Sequence, residues 1–126
     1  MNLNQVTIFT DKPGETVEFY RTLGLQLIVD SRPRYARLLC PDGDSTLSIH
    51  TSEESGASSG GIVLYFECDE LDVKIGELKQ LGLKFEREPV DQTWLWREAY
   101  LKDPAGNRVC LYHAGENRKN PPWRVN

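Results

Sequence analysis

Glu98 is the residue best placed to do chemistry. It lies in Trp94–His113, which reads WLWREAYLKDPAGNRVCLYH. Side chains of an extended chain alternate between two faces, so Trp94, Trp96, Glu98, Tyr100, Cys110 and Tyr112 share one side. A carboxylate among aromatic rings suits acid or base work. Its structural alternative is a salt bridge to Arg97 or Arg37. His50 brings an imidazole, the usual proton-transfer group near neutral pH, and shares the parity of Ser48. The plainer role for it is a hydrogen bond to a neighbour. The thiol of Cys110 needs a nearby cation to become reactive and is otherwise a small buried group. Tyr65, Trp94, Trp96, Tyr100, Cys110 and Tyr112 together would line a cavity for a small aromatic or amphipathic molecule. The same face would also serve as a second packed core or a dimer interface.

The elements that must position these groups follow from periodicity. Pro104, Gly106 and Asn107 suit a chain reversal, so Trp94–Lys102 and Arg108–His113 read as a hairpin with Leu95, Ala99, Leu101, Val109 and Leu111 on its core side. Upstream, residues 5–10 alternate as a strand. Asp11 is a candidate helix cap, Pro13 suits a first turn, and Val17, Tyr20 and Leu23 keep helical spacing to a stop at Gly24. Strands are expected at 25–29, 36–39 and 46–51, and a loop at Ser52–Gly60. The pattern then restarts. Residues 62–68 alternate, Asp69 precedes a helix with Leu71, Ile75 and Leu78 on one stripe, Gly82 stops it, and 83–85 reads as a strand before the hairpin.

An internal repeat accounts for the restart. Leu23-Gly24-Leu25 recurs as Leu81-Gly82-Leu83, and Asp11 as Asp69, both offset by 58 residues; Pro41-Asp42-Gly43-Asp44 recurs as Pro104-Ala105-Gly106-Asn107, offset by 63. The chain therefore reads βαβββ twice. The expected fold is α+β: two paired βαβββ modules, about 4–51 and 61–113, in one domain, forming a curved mixed sheet around a cup, with a tail at 114–126.

Composition bounds the partners. At 126 residues with net charge −4 the chain makes one domain and carries no basic stripe for nucleic acid. No apolar run is long enough to span a membrane, and MNLNQVTIFT lacks the pattern of a secretory signal. Three dispersed cysteines, Cys40, Cys68 and Cys110, fit a reducing cytoplasm.

Glu18-Phe19-Tyr20-Arg21 with Leu23-Gly24-Leu25, then Tyr65-Phe66-Glu67-Cys68-Asp69-Glu70-Leu71, then Asp103-Pro104-Ala105-Gly106-Asn107 resemble the vicinal oxygen chelate superfamily. That group includes glyoxalase I, extradiol dioxygenases, fosfomycin-resistance thiol transferases and bleomycin-binding proteins. The resemblance implies one divalent metal held by the first and last strands of each module. The matching positions here are Gln5, Ser48, Val63 and Cys110, a degenerate set in which Val63 has no donor at all. No cofactor is therefore expected, although Gln5, His50, Glu67 and Cys110 offer an unorthodox metal set. The resemblance also implies a homodimer.

Three functions follow as alternatives, and the sequence does not decide whether any reaction is catalysed. The first is a metal-free cup that binds a small aromatic or amphipathic molecule. The second is a metal-dependent lyase, dioxygenase or thiol transferase. The third is a metal-independent isomerase or hydrolase using Glu98 and His50. In the tail, Trp123 after Pro121-Pro122 is expected to dock, with Arg118 and Arg124 available to an anionic ligand.

Overall fold

The computed structural model describes residues 2–52 and 62–125. The stretch read as a loop, Ser52–Gly60, lies outside the described residues apart from Ser52. Among the described residues, two four-stranded mixed sheets and two α-helices make an α+β fold. The chain divides into two compact units, one comprising Met1–Gly61 with Asp103–Asn107, the other Ile62–Lys102 with Arg108–Asn126.

The first unit runs β1 (Gln5–Thr10), α1 (Pro13–Thr22), β2 (Gln26–Ser31), β3 (Tyr35–Leu39) and β4 (Thr46–Thr51). Its sheet order is β1-β4-β3-β2, with β1 parallel to β4 and the other pairs antiparallel. The second unit runs β5 (Val63–Glu67), α2 (Leu71–Gln80), β6 (Val90–Asp91), β7 (Arg97–Lys102) and β8 (Arg108–His113), in the order β5-β8-β7-β6. Again the first and last strands are parallel. The order repeats because each helix returns the chain to its own sheet, and β-hairpins complete the rest.

Each helix ends for the same physical reason. Gly24 and Gly82 take φ of 111° and 98°, which side chains resist. The following amides then turn back onto the last turn: Leu25 N–H donates to Tyr20 O and Leu83 N–H to Leu78 O, each at 3.1 Å. The starts differ from expectation. Pro13 occupies the first turn, which makes Lys12 the cap, and Glu70 is the cap of α2; neither uses its side chain. Thr10 Oγ1 instead accepts from Lys12 N–H at 2.9 Å, and Asp11 and Asp69 stand one residue too early.

Packing follows the alternation. In the first sheet Ile8, Ala36, Leu38, Leu47 and Ile49 are buried, and α1 lies against β2, β3 and β4 with Val17 and Tyr20 buried. In the second, Ala99, Leu101, Val109 and Leu111 are buried, and α2 buries the stripe Leu71, Ile75 and Leu78. The segment 83–85 forms no strand. Pro89 has no N–H to give to a ladder, and from this stretch Glu86 N–H alone reaches the β7 backbone, at Tyr100 O. The pairing strand is β6.

The Asp103–Asn107 turn belongs to the first unit. Asp103 is buried there and collects three donors: Tyr20 Oη at 2.6 Å, Asn107 N at 2.8 Å and Asn107 Nδ2 at 3.0 Å. Burial, then the Asp103 charge, push the Tyr20 phenol well above its ordinary range, so it stays a donor. No described helix is long and apolar enough to cross a membrane.

Candidate functional site

The face of the second sheet turned away from α2 carries the aromatic set. Pairing puts Tyr65 opposite Cys110, Glu67 and Glu98 opposite Tyr112, and Tyr100 opposite Cys110. One expectation fails at its edge. Trp94–Trp96 lie before β7, in the turn that joins it to β6, where Gln92 N–H closes onto Trp96 O at 2.8 Å. The reversal puts Leu95 at φ 68°, leaving it 48% exposed rather than on the core side. The apolar alternation of Trp-Leu-Trp mimics a strand, but chain reversal claims these residues.

The turn still serves the site. Trp94 Nε1 donates to Glu98 Oε2 at 3.1 Å, and Tyr100 Oη donates to Glu98 Oε1 at 3.1 Å. Glu98 is only 3% exposed, so this carboxyl is buried and held by two neutral donors. Neither expected ion-pair partner takes it: Arg97 binds Asp72 and Asp91 on the helix side, and Arg37 donates to Tyr35. Tyr65 Oη extends the chain of hydroxyls, 3.4 Å from Tyr100 Oη.

The rings pack on one another. Trp96 stacks on Tyr112 with centroids 4.5 Å apart, and Tyr65 meets both edge-on. The Arg108 guanidinium lies 4.3 Å over the Tyr100 ring. Cys110 and Tyr112 are buried in this cluster, Trp96 and Tyr100 are half-buried, and Tyr65 and Trp94 keep exposed ring surface. The six residues therefore divide into a packed floor and an open rim. The Cys110 thiol is pushed up to about 12, by burial first and by Glu98 second, so it is protonated at neutral pH.

His50 belongs to the first unit. Its Nδ1–H donates to Thr51 O at 3.0 Å, and its ring lies 5.2 Å from Phe9 and 6.2 Å from Tyr35. It thus makes the neighbourly hydrogen bond as well as belonging to a row of rings. Beside it, Tyr35 Oη and the buried Ser48 Oγ lie 2.8 Å apart, and Arg37 Nε donates to Tyr35 Oη at 2.9 Å. Tyr35 and Arg37 carry no motif; only the β3–β4 register shows that they share the face of Ser48 and His50.

The four positions implied for a metal make a poor donor set. Gln5 offers an amide oxygen that already accepts from Thr46 Oγ1 at 2.9 Å. Ser48 is hydrogen-bonded to Tyr35 and its hydroxyl is a poor ligand, and Val63 has no donor, which leaves Gln5 and the buried Cys110 thiol, two neutral and dissimilar donors. This set does not fit a catalytic divalent metal, which takes about three protein ligands. Among the described residues no three or more of His, Cys, Asp and Glu gather as a metal group. Glu67, in the unorthodox set, has other work. Its Oε2 accepts from Ala114 N and Gly115 N, each at 2.8 Å, at the start of a 3-10 turn (Gly115–Arg118), and Arg118 Nε lies 3.6 Å from Oε1. Burial raises the Glu67 carboxyl, but the two amides, with His113 and Arg118, hold it below its ordinary value.

The tail is anchored through this turn rather than through Trp123. Trp96 Nε1 donates to Asn117 O at 3.4 Å, whereas Trp123 is 57% exposed. Arg118 pairs with Glu67 and Arg124 with Asn120. The short route from Glu67 to the amides just after β8 secures the tail before the two prolines are reached.

The model of one family, the Glyoxalase/Bleomycin resistance protein/Dioxygenase superfamily, matches residues 2–111. The chain is 25% identical to the uncharacterized protein YraH of Bacillus subtilis (strain 168), over 89% of this chain and 98% of that one. A glyoxalase/bleomycin resistance protein/dioxygenase from Nocardioides has a similar structure, with TM-score 0.77, 22% identity, and coverage of 100% of this chain and 90% of that one. A lactoylglutathione lyase from Agrobacterium tumefaciens superposes with TM-score 0.72 at 19% identity, over 89% of this chain and 92% of that one. At these identities the structures establish the fold alone.

Proposed function

The chain belongs to the Glyoxalase/Bleomycin resistance protein/Dioxygenase superfamily, and within it we propose a protein that binds a small aromatic or amphipathic molecule without a resident metal. The fold hosts many chemistries, so the site must carry the argument. The observation that carries it is the Glu98 cluster: a buried carboxyl fixed by Trp94 and Tyr100, beside a rim of exposed ring surface at Tyr65 and Trp94. Aromatic rims bind flat ligands by stacking, and the ordered hydroxyls of Tyr65 and Tyr100 orient polar groups on them. The mismatch of Gln5, Ser48, Val63 and Cys110 with metal ligation supports the metal-free part.

A second reading, a metal-independent isomerase or hydrolase with Glu98 as acid or base, rests on the same fixed carboxyl. One variant separates the two. Glu98→Gln keeps the shape and an acceptor, so a binder retains its affinity while an enzyme loses turnover.

The direct test is an NMR titration with indole as probe. Saturable shifts at Tyr65, Trp94 and Trp96, with affinity falling about fivefold or more in Trp96→Ala, are expected. Shifts scattered over the surface, or an unaffected Trp96→Ala, would overturn the aromatic site. Metal analysis of protein purified without a His tag tests the other part. A stoichiometric divalent ion that is lost in Gln5→Ala or Cys110→Ala would refute the metal-free reading.

A further inference from the structure

Arg97 and Arg37 are the half-buried arginines of the described residues that lie on strands, and they differ in compensation. Arg97 is met by two carboxylates, Asp72 and Asp91. Arg37 has no carboxylate within salt-bridge distance among the described residues. Its one hydrogen bond to another side chain there is from Nε to Tyr35 Oη. The guanidinium carbon lies 5.5 Å from the Tyr35 ring centroid. That contact fixes the near side of the guanidinium, while its two terminal amines have no carboxylate to meet.

The surroundings point the same way. Tyr35 is itself held by the fully buried Ser48, and next along the face come His50 and then Phe9, which is half exposed. Tyr35, His50 and Phe9 form a continuous row of rings that begins at Arg37. The hydrogen bond with Ser48 first, and then the Arg37 guanidinium, lower the Tyr35 phenol against an opposing effect of burial. A planar guanidinium with both terminal amines presented recognises carboxylate or phosphate oxygens as a fork.

We propose that the first unit carries a site for an aryl anion, with the Arg37 fork taking a carboxylate or phosphate group and the ring row of Tyr35, His50 and Phe9 taking the attached aromatic ring. This site uses none of the residues of the Glu98 cluster, so it stands or falls separately from the aromatic site of the second unit.

Calorimetric titrations of the full chain with phenyl phosphate, benzoate, inorganic phosphate and benzyl alcohol test it. At least one of the two aryl anions should bind saturably at one per chain, and the tighter of them identifies the anionic group. Benzyl alcohol, lacking the charge, and inorganic phosphate, lacking the ring, should each bind at least about tenfold more weakly. Arg37→Gln should weaken the aryl anion by about 10- to 100-fold and leave benzyl alcohol unchanged. Arg37→Lys keeps the charge but not the fork, so its loss should be intermediate; this variant also carries the test if Arg37→Gln does not fold by circular dichroism. Absence of saturable binding by either aryl anion, wild-type affinity in both Arg37 variants, or inorganic phosphate binding as tightly as phenyl phosphate would each overturn the proposal.

Discussion

Replacing Tyr20 by Phe removes one oxygen from the protein and tests how α1 is tied to the Asp103–Asn107 turn. Tyr20 is fully buried, and its hydroxyl donates to Asp103 Oδ2 at 2.6 Å. The Phe ring fills the same space, so no cavity term enters. What is lost is a short hydrogen bond to a buried carboxyl, a class that contributes about 1.5–3 kcal/mol. Asp103 keeps the two donors from Asn107, which limits the penalty to this bond rather than to a bare buried carboxylate. For a domain of this length about 4 °C of Tm accompanies each kcal/mol, so Tyr20→Phe should melt about 6–12 °C below wild type. Calorimetry measures the shift, and a double-mutant cycle with Asp103→Asn isolates the pair: the second change should cost much less once the first is made. A Tm within about 2 °C of wild type, or strictly additive effects, would show that the contact does not hold the turn.

Two other groups give independent checks. With its thiol pushed up to about 12 and the side chain fully buried, Cys110 should be alkylated by iodoacetamide at least about a hundredfold more slowly in the native protein than in urea, as read by peptide mass spectrometry; equal rates would refute the packed floor. Glu67 has a folded-state value below the ordinary 4.5, so its contribution is fully present above that value and is lost as pH falls through the lower, folded one. Urea unfolding should therefore show wild type more stable than Glu67→Gln at neutral pH, with the gap closing below about pH 4.5. A gap independent of pH would mean that the carboxylate charge at the 3-10 turn contributes nothing.

Much of the fold could be read from the chain because its signals are local. Gly24 and Gly82 stop their helices through positive φ, a property of the residue itself. The 58-residue offset that relates them also relates α1 to α2, residue for residue, from Pro13 and Leu71 to Thr22 and Gln80. Failures occur where a local pattern meets a non-local demand. Trp94–Trp96 alternate like a strand, yet the short β6 requires a reversal there. Asp11 resembles a cap, yet Pro13 sets the helix start one residue later. The site was legible in the same measure. Glu98, Tyr100, Cys110 and Tyr112 follow from parity along one hairpin, whereas Trp94 reaches Glu98 from the turn before it. The Tyr20–Asp103 bond joins residues 83 apart, and Arg37 gains meaning only once β3 is registered against β4. Tyr20 and Asp103 each lie in a motif, but nothing in either motif states that the two meet.

The repeat separates folding from function more sharply than either copy does alone. Matching the two ladders slot by slot aligns Ala36 with Ala99, Leu38 with Leu101, Leu47 with Val109, Ile49 with Leu111 and Ile8 with Phe66. These positions face the helices, and packing holds both copies to apolar residues of allowed volume. The opposite face obeys no such rule. There Tyr35 corresponds to Glu98, Arg37 to Tyr100, Ser48 to Cys110, His50 to Tyr112 and Thr7 to Tyr65. One copy presents a guanidinium with an imidazole; the other presents a carboxyl with a thiol. A backbone used twice has diverged on the face turned away from the helices, in charge and hydrogen-bonding type and, at Thr7 and Tyr65, in size as well. Folding needs no such difference, because each helix-facing set already closes its own core. It is the difference that the two proposed sites, one aromatic and one anionic, require of their faces.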